Sequence, residues 1–380
     1  MRYRRGGAAL LTVGVVGGSL VACGSGSASS SKSSSQPTGQ ALASCLASAQ
    51  KLKDTKLTEP PLKVMASFDM SRNKGKTVWI INAARVPLLQ NASSDAEAAG
   101  KAAGMNVHVV YGDGSTNSAQ TAVEQAVAQG AKGIALGAVD PSTVQNAVNR
   151  AHAAGIIVTD VGNRSIQDSL RPGVAGQLGY DVPAEQAAMA GWVMVDSKCS
   201  AHTLMYSPSA LSITAAGAKA FQARYQEICP TCAFQLKDLD YGTFANTLTP
   251  EVQTDIRRDP KIDHVFAIIG SSVPEVDAGL RGNDHVRVLT HDGLDANLQA
   301  LRARNTHVVA DFAFAPNEAL GWQVIDQQGR LMLGEADAKD LTLPTRMVDK
   351  TNIGANNNDI WPSYAHYQNA YLAAWKVTGQ

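Results

Sequence analysis

The 380-residue chain has few aromatic residues, no excess of either charge and no long apolar stretch beyond its N-terminus. Aromatic residues make up 6% of it, and 33 Lys and Arg balance 33 Asp and Glu, which excludes a strongly basic nucleic-acid surface. No segment after residue 22 approaches the roughly 18 consecutive apolar residues of a spanning helix. The hydrophobic content of 44% still supports a full core, and the length suffices for two domains.

Catalytic and cofactor motifs are missing as well. The sequence contains no Gly-x-Ser-x-Gly turn, no His-Glu-x-x-His pair and no Walker loop. The first predicted strand is not followed by Gly-x-Gly-x-x-Gly, which argues against a dinucleotide, and the eight histidines are scattered. We therefore predict no enzyme, no cofactor and no metal site, with a secreted hydrolase as a remote alternative.

The N-terminus has the parts of an export signal. Arg2, Arg4 and Arg5 precede an apolar, Gly-rich run over 8–21, which is short for a membrane span. The run ends in Leu20-Val21-Ala22-Cys23, which resembles the lipobox of bacterial lipoproteins. The resemblance implies a signal peptide over 1–22, cleavage before Cys23, and lipid on the sulfur and new amino group of that residue. The protein would then be anchored to the outer face of the cell membrane.

The segment that follows the lipobox is polar and of low complexity. Residues 23–40 are mostly Ser, Gly, Ala, Lys and Gln, which is typical of a flexible tether. A short helix is predicted over 41–52, within an N-terminal lead-in that extends over 41–75 and contains Pro60 and Pro61.

Strands and helices alternate from Thr77 onward. The cleanest helix has Ala119, Ala122, Val123 and Ala126 at helical spacing and stops at Gly130. Short apolar runs without alternation are typical of buried parallel strands. The predicted strands are 77–81, 106–111, 133–136, 156–159, 203–206, 234–239, 265–269, 286–290 and 308–310. The pattern restarts near residue 183, so we predict an α/β fold of two doubly wound parallel-sheet domains, with a ligand cleft at the carboxyl ends of the strands.

Four cysteines remain once Cys23 carries lipid. An even number in an exported chain favours disulfides, and four cysteines allow three pairings. Cys229-Pro-Thr-Cys232 follows a predicted helix and precedes a strand, unlike a thioredoxin-type motif, so we interpret it as structural. We expect Cys199 to pair with Cys229 or Cys232, and the partner of Cys45 stays open.

Four segments resemble the type I periplasmic solute-binding proteins of the ribose- and galactose-binding kind. They match in order and spacing over roughly 77–350, and the Trp- and Tyr-rich tail over 352–380 resembles the extended C-terminus of actinobacterial members. The segments are Gln129-Gly130-Ala131-Lys132-Gly133-Ile134-Ala135-Leu136 with Asp140-Pro141, Ala153-Ala154-Gly155-Ile156-Ile157-Val158, Asp263-His264-Val265-Phe266-Ala267, and Val288-Leu289-Thr290-His291-Asp292-Gly293.

The resemblance implies three hinge crossings and a receptor function. Domain 1 would hold 76–177 and 312–340, and domain 2 would hold 178–311 and 341–380. A monomer would close on a small solute and deliver it to an ABC permease and its ATPase. Presentation of the ligand to a membrane sensor is the alternative. A repressor of the same fold is excluded because a signal and tether stand in place of a helix-turn-helix.

The resemblance also assigns candidate ligand contacts. In domain 1 these are Arg85, Leu88 and Leu89 after the first strand and Asn163 after the fourth. Leu88 and Leu89 occupy the positions of ring-stacking aromatics, although both residues can instead pack the start of the helix. Asn163 can donate and accept hydrogen bonds, as a hydroxyl or carbonyl ligand requires.

In domain 2 the candidates are Ser271 and Asp292, and Phe312 and Phe314 are candidates at the hinge crossing that follows. Asp292 is the strongest polar candidate, although Asp-Gly is also turn chemistry. Relative to a ribose-type pocket, the chain lacks an Arg and several amides and gains Leu and Phe. A buried hydroxyl without a partner costs about 1–3 kcal/mol, so we expect a sugar-like ligand of reduced polarity, or an aromatic or alicyclic compound.

Overall fold

The structure is a computed structural model that describes residues 37–303 and 306–376. The predicted signal peptide, Cys23 and most of the tether lie outside the described residues. Among the described residues, no helix has the length and apolar character needed to cross a membrane.

The first sheet has six parallel strands in the order β11-β5-β4-β3-β1-β2. Its central strands are buried on both faces, as unbroken apolar sequence requires. The strands are β1 Thr77–Asn82, β2 Asn106–Tyr111, β3 Gly133–Gly137, β4 Ile157–Ser165, β5 Gly176–Tyr180 and β11 Asp340–Thr342. The helices of this first lobe are α2 Pro87–Ala102, α3 Thr116–Ala128, α4 Gln145–Ala153 and α10 Asn317–Leu331.

The second sheet repeats this arrangement with the order β12-β10-β9-β8-β6-β7, and only β12 runs antiparallel to its neighbour. The strands are β6 His202–Ser207, β7 Ala233–Asp238, β8 His264–Ala267, β9 Arg287–His291, β10 Val308–Phe314 and β12 Thr345–Asp349. The helices of this second lobe are α5 Val182–Asp196, α6 Ser212–Ile228, α7 Phe244–Arg258, α8 Val273–Gly279 and α9 Asp295–Ala303. The predicted α/β fold of two doubly wound lobes is confirmed.

The three lobe crossings fall two or three residues later than predicted. The Gly-rich strand β5 was missed, and Leu178 pairs with Val161 inside the first sheet, so the boundary after 177 is wrong. Strand β10 belongs to the second sheet as far as Phe314, and β11 pairs with β5 in the first sheet as far as Thr342. The chain therefore crosses over at 181, 315–316 and 343–344.

Both ends of the described chain connect the lobes again. Helix α1, Gly39–Asp54, packs on α5 of the second lobe, and the Phe68 amide donates to the Ala374 carbonyl at 2.8 Å. The tail forms α11, Asn357–Ile360, and α12, Tyr367–Ala374. The prediction that 341–380 belongs to the second lobe is wrong at its end, because Trp375 stacks on Trp322 of α10 with ring centroids 5.2 Å apart.

Two disulfides are formed among the described residues, and neither has the predicted pairing. Cys45 bonds to Cys199, and Cys229 bonds to Cys232. Cys199 lies just beyond α5, and α1 covers that helix, so Cys45 is its neighbour. The prediction that Cys199 bonds to Cys229 or Cys232 is wrong, because the spacing of the cysteines in the sequence does not show that α1 packs on α5.

Removing Cys45–Cys199 should destabilise the protein more than removing Cys229–Cys232. The first closes a loop with a sequence separation of 154 and the second one of 3. Loop-closure entropy then gives about 5 kcal/mol for the long loop and about 2 kcal/mol for the short one. Urea unfolding of the C45A/C199A and C229A/C232A variants measures both values. Equal losses would contradict this assignment.

Candidate functional site

A cavity lies where the carboxyl ends of the two sheets face each other. It encloses about 910 Å³ of empty space, its open mouth included, which is in the range of small-molecule sites. Most of its lining is apolar. From the first lobe come Val86, Leu88, Leu89, Val161 and Leu320, and from the second come Leu211, Ile213, Tyr241, Ile268, Ile269 and Phe314.

The start of α2 supplies the apolar wall from the first lobe. The helix begins at Pro87, because proline suits the first helical position. Leu88 and Leu89 therefore lie in its first turn and line the cavity. Leu89 is buried and Leu88 is half-buried, so the two residues also pack the helix start.

Asp292 stands in a left-handed turn at the end of β9 and lines the cavity. Its φ is +85°, and Gly293 follows at +64°, so the expected turn conformation is present. The Asp292 carboxylate accepts the Gly270 amide at 2.9 Å, and its own amide donates to Phe312 at 3.1 Å. Only glycine fits at 270, because a Cβ there would lie 2.2 Å from the His291 carbonyl oxygen. These contacts hold a conformation that is costly for a residue with a side chain.

His291 lies between two carboxylates at the polar side of the cavity. Its Nδ1 is 2.9 Å from the Asp292 Oδ1, and its Nε2 bonds to Glu185 of α5. Burial opposes the charged ring, but Glu185 and Asp292 hold the pKa of His291 well above its ordinary value. The two flanking carboxyl groups thus favour the imidazolium form of the ring, in which both ring nitrogens donate.

Aromatic rings enclose this imidazolium. Phe312 stacks on it at 5.9 Å between centroids, Phe314 meets it edge-on at 5.1 Å, and Tyr180 lies 6.3 Å away. The face of the stacked Phe312 ring favours a cationic imidazole. Phe314 and Tyr180 also line the cavity, whereas Phe312 is fully buried behind the histidine.

Five of the eight predicted ligand residues meet at the cavity, namely Leu88, Leu89, Ser271, Asp292 and Phe314. Three do not. Arg85 lies over the Tyr111 ring at 4.3 Å, and Phe312 is buried. The Asn163 amide donates to Asp160 at 2.7 Å and to the Val139 carbonyl at 3.1 Å, so this side chain braces strand ends.

Sequence reasoning missed Gln186, Tyr180, Tyr241 and His291, all of which line the cavity. Tyr180 ends the Gly-rich strand that was not predicted. His291 directly precedes Asp292, and that adjacency was the available signal. Gln186 lies on a helix that reads as uniformly apolar, where a lone amide gives no pattern.

Two further buried carboxyls lie near strand ends. Burial raises the pKa of Asp160 to about 7 despite its bond with Asn163. Burial likewise raises the pKa of Asp311 to about 7, against the pull of His291 and the Gly293 amide. In 37–303 and 306–376, no three His, Cys, Asp or Glu side chains are arranged to hold a metal ion.

The geometry defines a two-lobed binding protein with its cavity at the lobe interface. Residues 78–336 match the family model described as the periplasmic binding protein domain. The chain belongs to this family of extracytoplasmic binding proteins, which are not enzymes. The resemblance to type I solute-binding proteins is thereby confirmed.

Solved structures share the fold at low identity. An ABC transporter solute-binding protein from Mycobacterium smegmatis with bound glycerol is 21% identical, with a TM-score of 0.66 over 74% of this chain and 96% of that one. A 5-methylthioribose transporter solute-binding protein from Thermotoga lettingae is 14% identical, with a TM-score of 0.68 over 80% and 94%. An ABC transporter solute-binding protein from Agrobacterium vitis with bound allitol is 17% identical, with a TM-score of 0.65 over 74% of this chain and 97% of that one. No curated protein sequence matches the chain.

Replacing Asp311 by Asn should stabilise the protein increasingly as pH rises from about 4 to 7. The pKa is raised to about 7 on folding, so the folded state binds more protons than the unfolded state in this window and loses stability with rising pH. The Asp311→Asn variant avoids that loss, with a plateau gain on the order of 4 kcal/mol above pH 7. Urea unfolding at several pH values measures it, with the exposed Asp337→Asn as control. Parallel pH curves for D311N and the wild type would contradict the assignment.

Proposed function

We propose that this chain is the lipid-anchored, extracytoplasmic receptor of an ABC transporter. It captures a small sugar-like solute of reduced polarity by closure of its lobes and delivers it to the permease. The observation that carries the proposal is the largely apolar cavity between the carboxyl ends of two sheets in a periplasmic binding protein. In such folds, ligands bind at this edge, and hinge crossings allow closure.

The lining supports reduced polarity of the ligand. Leu88, Leu89 and Phe314 occupy positions where a fully hydroxylated ligand would bury hydroxyls without partners. The polar groups of the cavity lining are confined to a few side chains, chiefly Gln186, Ser271 and Asp292. The Thermotoga lettingae protein, which shares the fold, holds 5-methylthioribose, so this fold can accommodate a sugar with an apolar substituent.

The anchor rests on the sequence. Leu20-Val21-Ala22-Cys23 supplies the lipid site and 23–40 the tether. A tethered receptor stays next to its permease, which raises the effective concentration of loaded receptor at the membrane.

We expect sugars of reduced polarity to bind at least about tenfold tighter than ordinary pentoses and hexoses. No tryptophan lines the described cavity, so calorimetry is the suitable measurement. The mature chain is unfolded in guanidinium with its disulfides intact and refolded to remove bound ligand. The panel holds 5-methylthioribose, deoxyhexoses and alicyclic alcohols against D-ribose, D-arabinose, D-glucose and D-galactose. Micromolar or tighter binding of an ordinary pentose or hexose would contradict reduced polarity, and no binding at all would contradict the receptor function.

Replacing Cys23 by Ala should release the exported protein from the membrane, because the thiol that carries the lipid is lost. Fractionation of producing cells measures the distribution, with Cys229→Ala as a matched cysteine control that stays membrane-bound.

Loss of solute uptake on deletion of the protein supports permease delivery. Retained uptake with loss of a transcriptional response would favour a membrane sensor instead.

A further inference from the structure

We propose that Gln186 is a ligand contact that sets specificity, and that the ligand is a neutral molecule with two unlike sides. Its hydrogen-bonding edge faces the second lobe, and its apolar face meets the first. This inference rests on the proposed receptor function and adds the charge and orientation of the solute.

The Gln186 amide oxygen is buried at the cavity without a partner among the described residues. This residue lies near the start of α5, is 1% exposed and lines the cavity. Its amide oxygen is buried and accepts no hydrogen bond from any described residue. A buried amide without a partner destabilises a protein, and nearly all such groups are satisfied. A ligand that donates to Gln186 supplies the missing bond.

Two other polar groups of the second lobe accompany it. The Ser271 hydroxyl lines the same cavity and is buried without a partner among the described residues. Asp292 keeps acceptor capacity beyond its bonds to His291 and Gly270, because an ionised carboxylate has about four acceptor positions. Amide, hydroxyl and carboxylate together suit an edge with several hydroxyl or N–H donors.

The first lobe offers a more uniformly apolar surface than the second lobe, which contributes both polar and apolar side chains. Leu88, Leu89, Val161 and Leu320 present aliphatic carbon, and the Tyr180 hydroxyl is the polar exception. A ligand that is polar on all sides would lose hydrogen bonds to water on this side without replacement. The apolar face of the ligand therefore lies here, and closure of the first lobe buries it.

Charge excludes anionic ligands. No Lys or Arg is among the residues that line the described cavity. His291 is the cation at its wall, and Glu185 and Asp292 already neutralise it. Arg85, the nearest candidate by sequence, lies over the Tyr111 ring instead. A phosphate or carboxylate would enter a largely desolvated site without a counter-charge.

The test combines one variant with three probes of related shape. Wild type, Gln186→Leu and the exposed-helix control Gln226→Leu are titrated at pH 7.5 with 5-methylthioribose, D-ribose and D-ribose 5-phosphate. The wild type is expected to prefer 5-methylthioribose and to bind the phosphate at least about 100-fold more weakly. Gln186→Leu should weaken 5-methylthioribose binding at least about tenfold, because one hydrogen bond is lost.

Thermal unfolding without ligand separates a ligand contact from a structural residue. Since the amide oxygen has no partner among the described residues, the melting temperature of Gln186→Leu should equal or exceed that of the wild type. Unchanged affinity, or a lowered melting temperature, would overturn the role of Gln186. Equal binding of ribose 5-phosphate would overturn the neutral class. Tight binding of an ordinary pentose or hexose alone overturns the two-sided ligand and leaves the receptor function intact, whereas failure of the whole calorimetric panel contradicts the receptor function itself.

Discussion

The polar side of the cavity depends on one interaction, the clamp of His291 between Glu185 and Asp292. It ties the start of α5 to the end of β9 and fixes the carboxylate at the cavity wall. A buried ion group of this kind is costly to break, because the remaining partner keeps a charge out of water. The rings of Tyr180, Phe312 and Phe314 close around the cation, and so the clamp also shapes the apolar wall.

The groups proposed to contact the ligand are Asp292, which is part of the clamp, and Gln186, which lies next to it. Asp292 is held in a left-handed conformation by Gly270 and Phe312, so its remaining acceptor positions are fixed before a ligand arrives. Gln186 follows Glu185 directly on α5, so the residue that anchors the clamp also positions the unpartnered amide. The two ends of the described chain lie outside the region of the family match. The N-terminal end is bonded to the second lobe through Cys45–Cys199, and the C-terminal end packs on the first lobe through Trp375.

The regular fold could be predicted because parallel strands and amphipathic helices leave local periodic signals, as Ala119, Ala122 and Val123 show for α3. The misses share a physical cause, which is dependence on contacts distant in sequence. Strand β5 is Gly-rich, and it is defined by its pairing with β4 and β11 rather than by an apolar sequence pattern. Cys199 pairs with Cys45 because α1 packs on α5. The family resemblance assigned Leu88, Leu89, Ser271, Asp292 and Phe314, which line the cavity, whereas Arg85 and Asn163 contact Tyr111 and Asp160 instead. Gln186 becomes visible only when hydrogen bonds are accounted for in three dimensions.

The central claim is that the cavity holds a neutral solute with a polar edge and an apolar face. Native mass spectrometry of the mature protein, purified from cells that import its solute, tests this most directly through the mass and fragmentation of the bound molecule. We expect one bound neutral compound that carries several hydroxyl or N–H groups and one apolar substituent or ring face. A bound phosphate ester, carboxylate or fully hydroxylated hexose would contradict it.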